Sequence, residues 1–267
     1  MMSETKTPHL TGLNYQRVNP SAKMIRLRKT SSKDFPFLQD IMFSALIDSH
    51  DTLFAYNFPH REKYPQDNEY FYSKLRIEPS LYQCDMAMMI AEISATDQDG
   101  RQTWAPVGLA AWSWTSTSGS PPPIPFPVDT WSNFFSRAYL TFRNYIISSF
   151  MPRRDMDGAH YNAFFTALKQ IDDYYWRPRY PEVLHLQALY THSEAWGKGV
   201  GTTLVEWGLD AALKAQVPVV VESTGATKFY ENRGFKQVCT KRIQVEGESA
   251  FVDVDALVWV PQEGEAL

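Results

Sequence analysis

Apolar and polar residues change their spacing several times along the chain, and each change marks an element. Met24-Ile25-Arg26-Leu27-Arg28 alternates as a strand does. Ser31-Ser32-Lys33-Asp34 has the form of a capping box, and Leu38, Met42, Ala45 and Leu46 follow at helical spacing. A polar, tyrosine-rich stretch from Gln66 to Tyr82 is predicted helical. Met86 to Ile93 and Val107 to Trp114 are predicted strands of an antiparallel pair, with a turn at Asp97-Gln98-Asp99-Gly100. Residues 1–22 show neither period and are predicted to form a loose arm.

The chain then changes character. Ser116 to Pro127 holds Pro121, Pro122, Pro123 and Pro125, whose missing N–H groups exclude a regular helix or a central strand. Two amphipathic helices follow. The first carries Trp131, Phe134, Phe135, Ala138, Phe142, Tyr145 and Ile146 on one face, and the second carries Phe164, Leu168, Ile171 and Tyr175. The aromatic face of the first is expected to pack as core against the sheet. The alternative is that some of its rings, with Trp112 and Trp114, wall an acceptor pocket. Two helices alone bury too little surface to fold independently, so residues 115–180 are read as a helical insertion in one domain.

Alternation returns at Val183 to Thr191, followed by a glycine loop from Gly197 to Gly201 and a helix from Thr202 to Ala215. Pro218 to Val221 is a short apolar strand suited to a buried position. Thr227 to Asn232 is a brief helix that Gly234 can end. Val238 to Val245 and Ala250 to Val260 are predicted to form a hairpin about Glu246-Gly247-Glu248-Ser249.

Composition narrows the function classes. The 267 residues hold 26 Lys plus Arg and 30 Asp plus Glu, a formal net charge of −4, which argues against a protein built to grip a phosphate backbone. Cys84 and Cys239 are far apart and without CxxC spacing, so neither a disulfide framework nor a metal site is expected. The first residues lack the apolar core of a signal peptide, and no run nears the roughly 18 apolar residues of a membrane span. A soluble, cytoplasmic protein is expected, a monomer or homodimer that binds neither nucleic acid nor membrane.

The chemistry concentrates where a strand, Leu189-Tyr190-Thr191, runs into Trp196-Gly197-Lys198-Gly199-Val200-Gly201 and a helix begins at once. Such a loop leaves backbone N–H groups unpaired at a helix N-terminus, where the macrodipole also favours an anion. Lys198 between two glycines does not satisfy GxxxxGK[ST], and the antiparallel hairpin that follows does not suit a parallel dinucleotide-binding unit. Neither of those nucleotide motifs applies.

This loop resembles the acyl-CoA loop of the GCN5-related N-acetyltransferases (GNAT), whose pattern is Arg or Gln, x, x, Gly, x, Gly or Ala. Phe229-Tyr230-Glu231-Asn232-Arg233-Gly234-Phe235 resembles that family's FYxxxGF signature, and the two motifs stand in the family's order and separation. The resemblance covers about 183–236 and extends to 24–114, with 115–180 as an addition to the minimal fold. Trp196 stands where the family has Arg or Gln, Ser193 where proline is common, and Ser223 near a frequent Asn.

The resemblance implies an α/β domain over 23–262 with a mixed, mostly antiparallel sheet flanked by helices, whose central strands splay after Leu189. It implies acetyl-CoA as cosubstrate, no metal, and transfer to the primary amine of a small molecule by direct attack. Leu189, Tyr190 and Thr191 would meet the pantetheine arm, and the amides of Trp196, Gly197, Lys198, Gly199, Val200, Gly201 and Thr202 the pyrophosphate. Tyr230 falls on the tyrosine that protonates the departing thiolate, a task that a phenol of pKa about 10 suits. For the base, His185 lies four residues before Leu189, where related enzymes carry a glutamate or a histidine, and it titrates near neutrality; it could equally be a half-buried strand residue bonded to a neighbour. Glu222 is the second candidate base, or else the cap of the turn from Ser223 to Tyr230. Two other functions stay open: a protein or peptide acetyltransferase acting at an N-terminus or lysine, and a non-catalytic acyl-CoA-binding regulator.

Overall fold

A computed structural model of the chain describes residues 25–96, 102–151 and 153–261; the predicted arm at 1–22 and the turn at 97–100 lie outside them. Strand β1 (Ile25–Lys29) leads through a turn at Ser32–Asp34 into α1 (Phe35–Asp48). The predicted capping box closes this turn, with Ser31 N donating to Asp34 Oδ2 at 2.7 Å, and Arg28 adds a paired guanidinium behind the same carboxylate. Three short helices follow, α2 (Thr52–Asn57), α3 (Pro65–Tyr70) and α4 (Glu78–Ser80), the last two joined by a π-helical stretch over Phe71–Ile77. Then come β2 (Met86–Thr96), β3 (Gln102–Ser116), α5 (Trp131–Phe150) and α6 (Gly158–Ile171), which runs into a π turn at Asp172–Trp176. The chain continues with β4 (Glu182–Thr191), α7 (Val200–Ala215), β5 (Val219–Ser223), α8 (Thr227–Glu231), β6 (Lys236–Gln244) and β7 (Phe251–Trp259).

The seven strands lie in the order β1-β2-β3-β4-β5-β7-β6. Every pairing is antiparallel except β4 with β5, so the sheet is mixed and mostly antiparallel, as the resemblance implies. One face is covered by α7, whose Leu204, Val205 and Ala212 pack with Trp112, Leu184, Leu186 and Val219. The opposite face is covered by α1 and α2 over Met88, Ile90 and Leu109, and by α6 with Trp176 over Val220, Val254 and Ala256. The two helices α5 and α6 stand between β3 and β4, the position predicted for the helical insertion.

The parallel pair β4–β5 is short and sets the site. It holds only Leu184 against Val219 and His185 against Val220, after which the strands part. The separation thus starts after His185, four residues earlier than the predicted Leu189. A β-bulge supplies the reason: opposite Ala111 and Trp112 the β4 partners are Ala188 and Leu186, which leaves Gln187 as the extra residue. One extra residue reverses which side chains point up. Leu184 and Leu186 face α7 before it, whereas Ala188 and Tyr190 face α1 after it. A regular hydrophobic alternation cannot announce such a step.

The aromatic face of α5 overturns the expectation that it packs as core. Trp131, Phe135 and Tyr145 are exposed to 79%, 64% and 70%, and among the residues of α5 only Leu140 is buried. Its polar side turns inward instead: Arg137 pairs with Asp129, and Arg143 with Glu78. The alternative in which these rings wall a pocket with Trp112 and Trp114 fails as well. Trp112 is fully buried against α7, and Trp114 Nε1 donates to the Ser120 carbonyl.

Candidate active site

Where β4 and β5 part, a cavity of about 610 Å³ opens between them, within the range typical of small-molecule sites. Its floor is the loosened edge of β4, from Leu186 to Thr191, and Val221 to Ala226 at the end of β5. Beyond His185 the β4 backbone pairs with β3 alone, so its other edge keeps N–H and C=O groups for a ligand. Leu189, Tyr190 and Thr191 all line the cavity.

The glycine loop closes one end. His192 N donates to the Val107 carbonyl at 2.8 Å, Ser193–Ala195 makes a 3₁₀ turn, and Ser44 Oγ of α1 accepts from Ser193 N at 2.9 Å. Gly197 and Gly199 have φ of +68° and +84°, in the left-handed region that glycine adopts without strain, and Gly199 is the N-cap of α7. The first amides of α7 therefore have no intrahelical acceptor and carry the positive end of its dipole. Trp196, where the family has Arg or Gln, uses its ring N–H to hold the Thr191 carbonyl at 2.7 Å and so ties the loop to the strand end. This is a cradle that fits a pyrophosphate: backbone donors, two glycines at positive φ, and cavity walls continuing along the β4 edge. Arg233 adds a cation that the sequence reading did not single out. Its guanidinium lies 3.6 Å over the Phe229 ring, and Nη2 donates to Thr202 Oγ1 in the first turn of α7.

Tyr230 stands on the same cavity, edge-on to Phe229 and Phe235, and is 6% exposed. Burial raises its pKa well above the ordinary tyrosine value; Arg233 opposes that shift and Tyr190 adds to it. The phenol stays protonated at any physiological pH. Tyr190, also on the cavity, is likewise pushed up by burial.

The two candidate bases prove to be one unit. His185 Nε2 and Glu222 Oε2 lie 2.5 Å apart, and Trp176 Nε1 donates to Glu222 Oε1 at 2.7 Å. Glu222 lines the cavity, whereas His185 stands behind it, its Nδ1 3.0 Å from the Gln187 amide. Burial works against the charged form of both. The mutual attraction prevails: the imidazole lies above its ordinary pKa, and the carboxylate lies below, helped by the hydrogen bonds from His185 and Trp176. The turn after β5 is capped by Ser223, whose Oγ accepts from Ala226 N at 2.9 Å, which frees Glu222 from that duty.

The far end of the cavity is built by α2 and α6 rather than α5. Phe54, Phe58, Tyr161, Phe164 and Phe165 supply aromatic walls, and Asp51 adds a second carboxylate. Asp51 caps α2 by accepting from Phe54 N at 2.7 Å, and burial raises its pKa. Arg76 lines the cavity too. Trp176 and Asp51 were not predicted. Trp176 follows the second helix in a π turn that shifts its apolar row, and the residues of α2 are too few to show a period. Among the described residues no group of three or more His, Cys, Asp or Glu could hold a metal, and no helix is long and apolar enough to cross a membrane.

Known proteins resemble this chain in one segment and in fold. Residues 165–235 match the family model described as Acetyltransferase (GNAT) family, a span that contains β4, the glycine loop, α7, β5 and α8. A protein of Ajellomyces capsulatus named "Probable acyltransferase SID5" is 48% identical over 42 residues, which is 15% of this chain and 31% of that protein, so the match spans under a third of the relative's length. A structure from Corynebacterium glutamicum ATCC 13032, described as histone acetyltransferase HPA2 and related acetyltransferase, aligns over 91% of this chain and 99% of its own with a TM-score of 0.50. At 18% identity that likeness is one of fold. A Drosophila melanogaster polyamine N-acetyltransferase, described as forming N-acetylagmatine, aligns over 89% and 100% at 15% identity with a TM-score of 0.49.

Proposed function

Since residues 165–235 match the GNAT family model and the fold is that of GNAT structures, we propose that this chain transfers the acetyl group of acetyl-CoA to the primary amine of a small molecule by direct attack. One observation carries the reading: Glu222, backed by the His185 imidazole, and a protonated tyrosine line the same cavity, beside the anion cradle of α7. Acetyl-CoA supplies an activated thioester; the work left to the chain is to place the amine and move two protons. The amides of Gly197, Gly199, Val200, Gly201 and Thr202, with Arg233 beside them, hold the pyrophosphate; those of Trp196 and Lys198, also expected there, donate to the Ser193 and Ala195 carbonyls at 3.1 and 3.3 Å. Leu189, Tyr190 and Thr191 hold the arm along the open strand edge.

An alkylammonium must lose a proton before it attacks. Glu222 is the group that meets it, and His185 takes up the charge behind Glu222, so the pair accepts one proton as a unit. Tyr230 then gives its hydroxyl proton to the departing thiolate and is reprotonated by the second proton that the nitrogen sheds as the amide forms. The small acceptor is supported by α6, which closes the far end with Tyr161, Phe164 and Phe165, where a peptide groove would be open. Carboxylates at Glu222 and Asp51 against these rings suit an amine with an apolar body.

The test is a release assay for free coenzyme A thiol with phenylalkylamines, polyamines, aminosugars and peptides as acceptors. Turnover with a small amine and not with peptides is the expected result. Preferred turnover of peptides would replace the reading by protein acetylation. Thermal stabilisation by acetyl-CoA without thiol release from any amine would leave a binding protein.

A further inference from the structure

Helix α5 is built inside-out. Its polar side meets the protein through Arg137 and Arg143, and its outer side holds aromatic rings and no charged residue. Seven aromatic side chains there are exposed to between 49% and 79%. Taking about 200 Å² for a whole aromatic side chain, they present roughly 900 Å² of surface. That exceeds the roughly 300–600 Å² of the largest apolar patch on an ordinary monomer and reaches the roughly 800 Å² per partner of a stable interface. Absence of charge with enrichment in Trp, Tyr and Phe is also the composition of an interface core.

The spacing says what covers it. Trp131, Phe135, Ala138, Phe142, Tyr145 and Ser149 recur at alternating steps of four and three, a heptad seam on the outer side of a helix about 30 Å long. If a second α5 lies antiparallel with the twofold axis at Leu140, Trp131 meets Ser149, Phe135 meets Tyr145 and Ala138 meets Phe142. Two of these pairs set a large side chain against a small one and the third sets ring against ring, so the stripe is complementary to itself in shape, as an isologous interface must be. We propose that this chain forms a twofold homodimer through antiparallel packing of α5 on α5. A lipid surface is the weaker occupant, because interfacial helices present free Lys and Arg beside their apolar face, whereas both arginines of α5 are engaged in ion pairs.

Sedimentation equilibrium of the full chain should give twice the chain mass of 30.7 kDa. Phe142→Asp should weaken self-association at least a hundredfold while the far-ultraviolet circular dichroism and the melting temperature stay those of the parent. In oxidising buffer the double variant Trp131→Cys with Ser149→Cys should form a covalent dimer that neither single variant forms. If Phe142→Asp fails to fold, this cross-linking pattern decides alone. A parent that sediments as a monomer at micromolar concentration overturns the proposal, as does a dimer unmoved by a folded Phe142→Asp or a cross-link in Trp131→Cys alone. So does a monomer that binds phosphatidylcholine–phosphatidylserine vesicles through Phe142.

Discussion

The proposed proton chemistry rests on two groups, the His185–Glu222 pair and Tyr230, and each makes a distinguishable claim. With His185 above its ordinary pKa and Glu222 below, the pair is imidazolium–carboxylate at low pH and already holds the proton it must accept. Rising pH removes that proton from His185, so the rising limb of the rate should lie above about 6.5, the ordinary histidine value. Glu222→Gln removes the charge that raises His185 and leaves burial, which lowers it. The limb should therefore move to lower pH while kcat falls. Both proteins are measured with one acceptor, so the titration of the amine cancels in the difference. A limb at the same pH in the variant would remove Glu222 from the proton path. Tyr230→Phe makes the second claim. Positioned acids contribute about 10²–10⁴-fold, so kcat should fall by about a hundredfold while the dissociation constant for coenzyme A stays within about threefold, since Tyr230 is assigned to the thiolate and not to the cradle. Unchanged turnover would return the role of acid to Tyr190 or water.

At the scale of elements, one close approach sets how α7 sits on the sheet. A Cβ on Gly208 would lie 2.3 Å from Cη2 of Trp112, which is fully buried and has nowhere to turn. Helix propensity alone would make Gly208→Ala favourable by about 1 kcal/mol. Overpacking against a rigid ring costs about 1–3 kcal/mol and often more, so the variant should be destabilised and melt a few degrees lower. A rise in melting temperature would mean that α7 and β3 can shift apart. The same contrast between pattern and packing separates what the sequence revealed from what it hid. The periods of α1, α7 and the β6–β7 hairpin could be read because each buries one face on the sheet. The period of α5 was equally readable, yet it fixed only which side chains share a face and not where the face points; its arginines met carboxylates from elsewhere in the chain, and the rings turned out. In the candidate site, the meeting of Tyr230 with Trp196 and Gly201 of the glycine loop on one cavity could be anticipated from the resemblance, because each motif is contiguous in the sequence. The partnership of His185, Glu222 and Trp176 was not, because it depends on a two-residue parallel pairing, a bulge at Gln187 and a π turn that no local pattern records.

At the scale of the molecule, the net charge of −4 would give the proposed polyanionic cosubstrate no general attraction, so its binding would rest on the local field of the cradle. That field has three sources: the dipole of α7, the amides freed by Gly197 and Gly199, and Arg233 at Thr202. A ligand bound only by the folded state stabilises it by about 2.7 kcal/mol at a hundredfold excess over its dissociation constant. For a chain of this size each kcal/mol moves the melting temperature by about 2–4 °C, so coenzyme A should raise it by roughly 5–10 °C. Arg233→Met keeps the bulk over the Phe229 ring and removes the charge. It should cut this rise to less than half at the same ligand concentration and weaken its dependence on salt, because part of an exposed ionic contact is lost to screening. The free protein should lose little by comparison, since Arg233 Nε is buried without a hydrogen-bond partner and burial lowers the pKa of its guanidinium. If Arg233→Met melts far below the parent without ligand yet keeps the full rise with it, Arg233 serves the fold of α7 and α8, and the pyrophosphate is held by backbone amides alone.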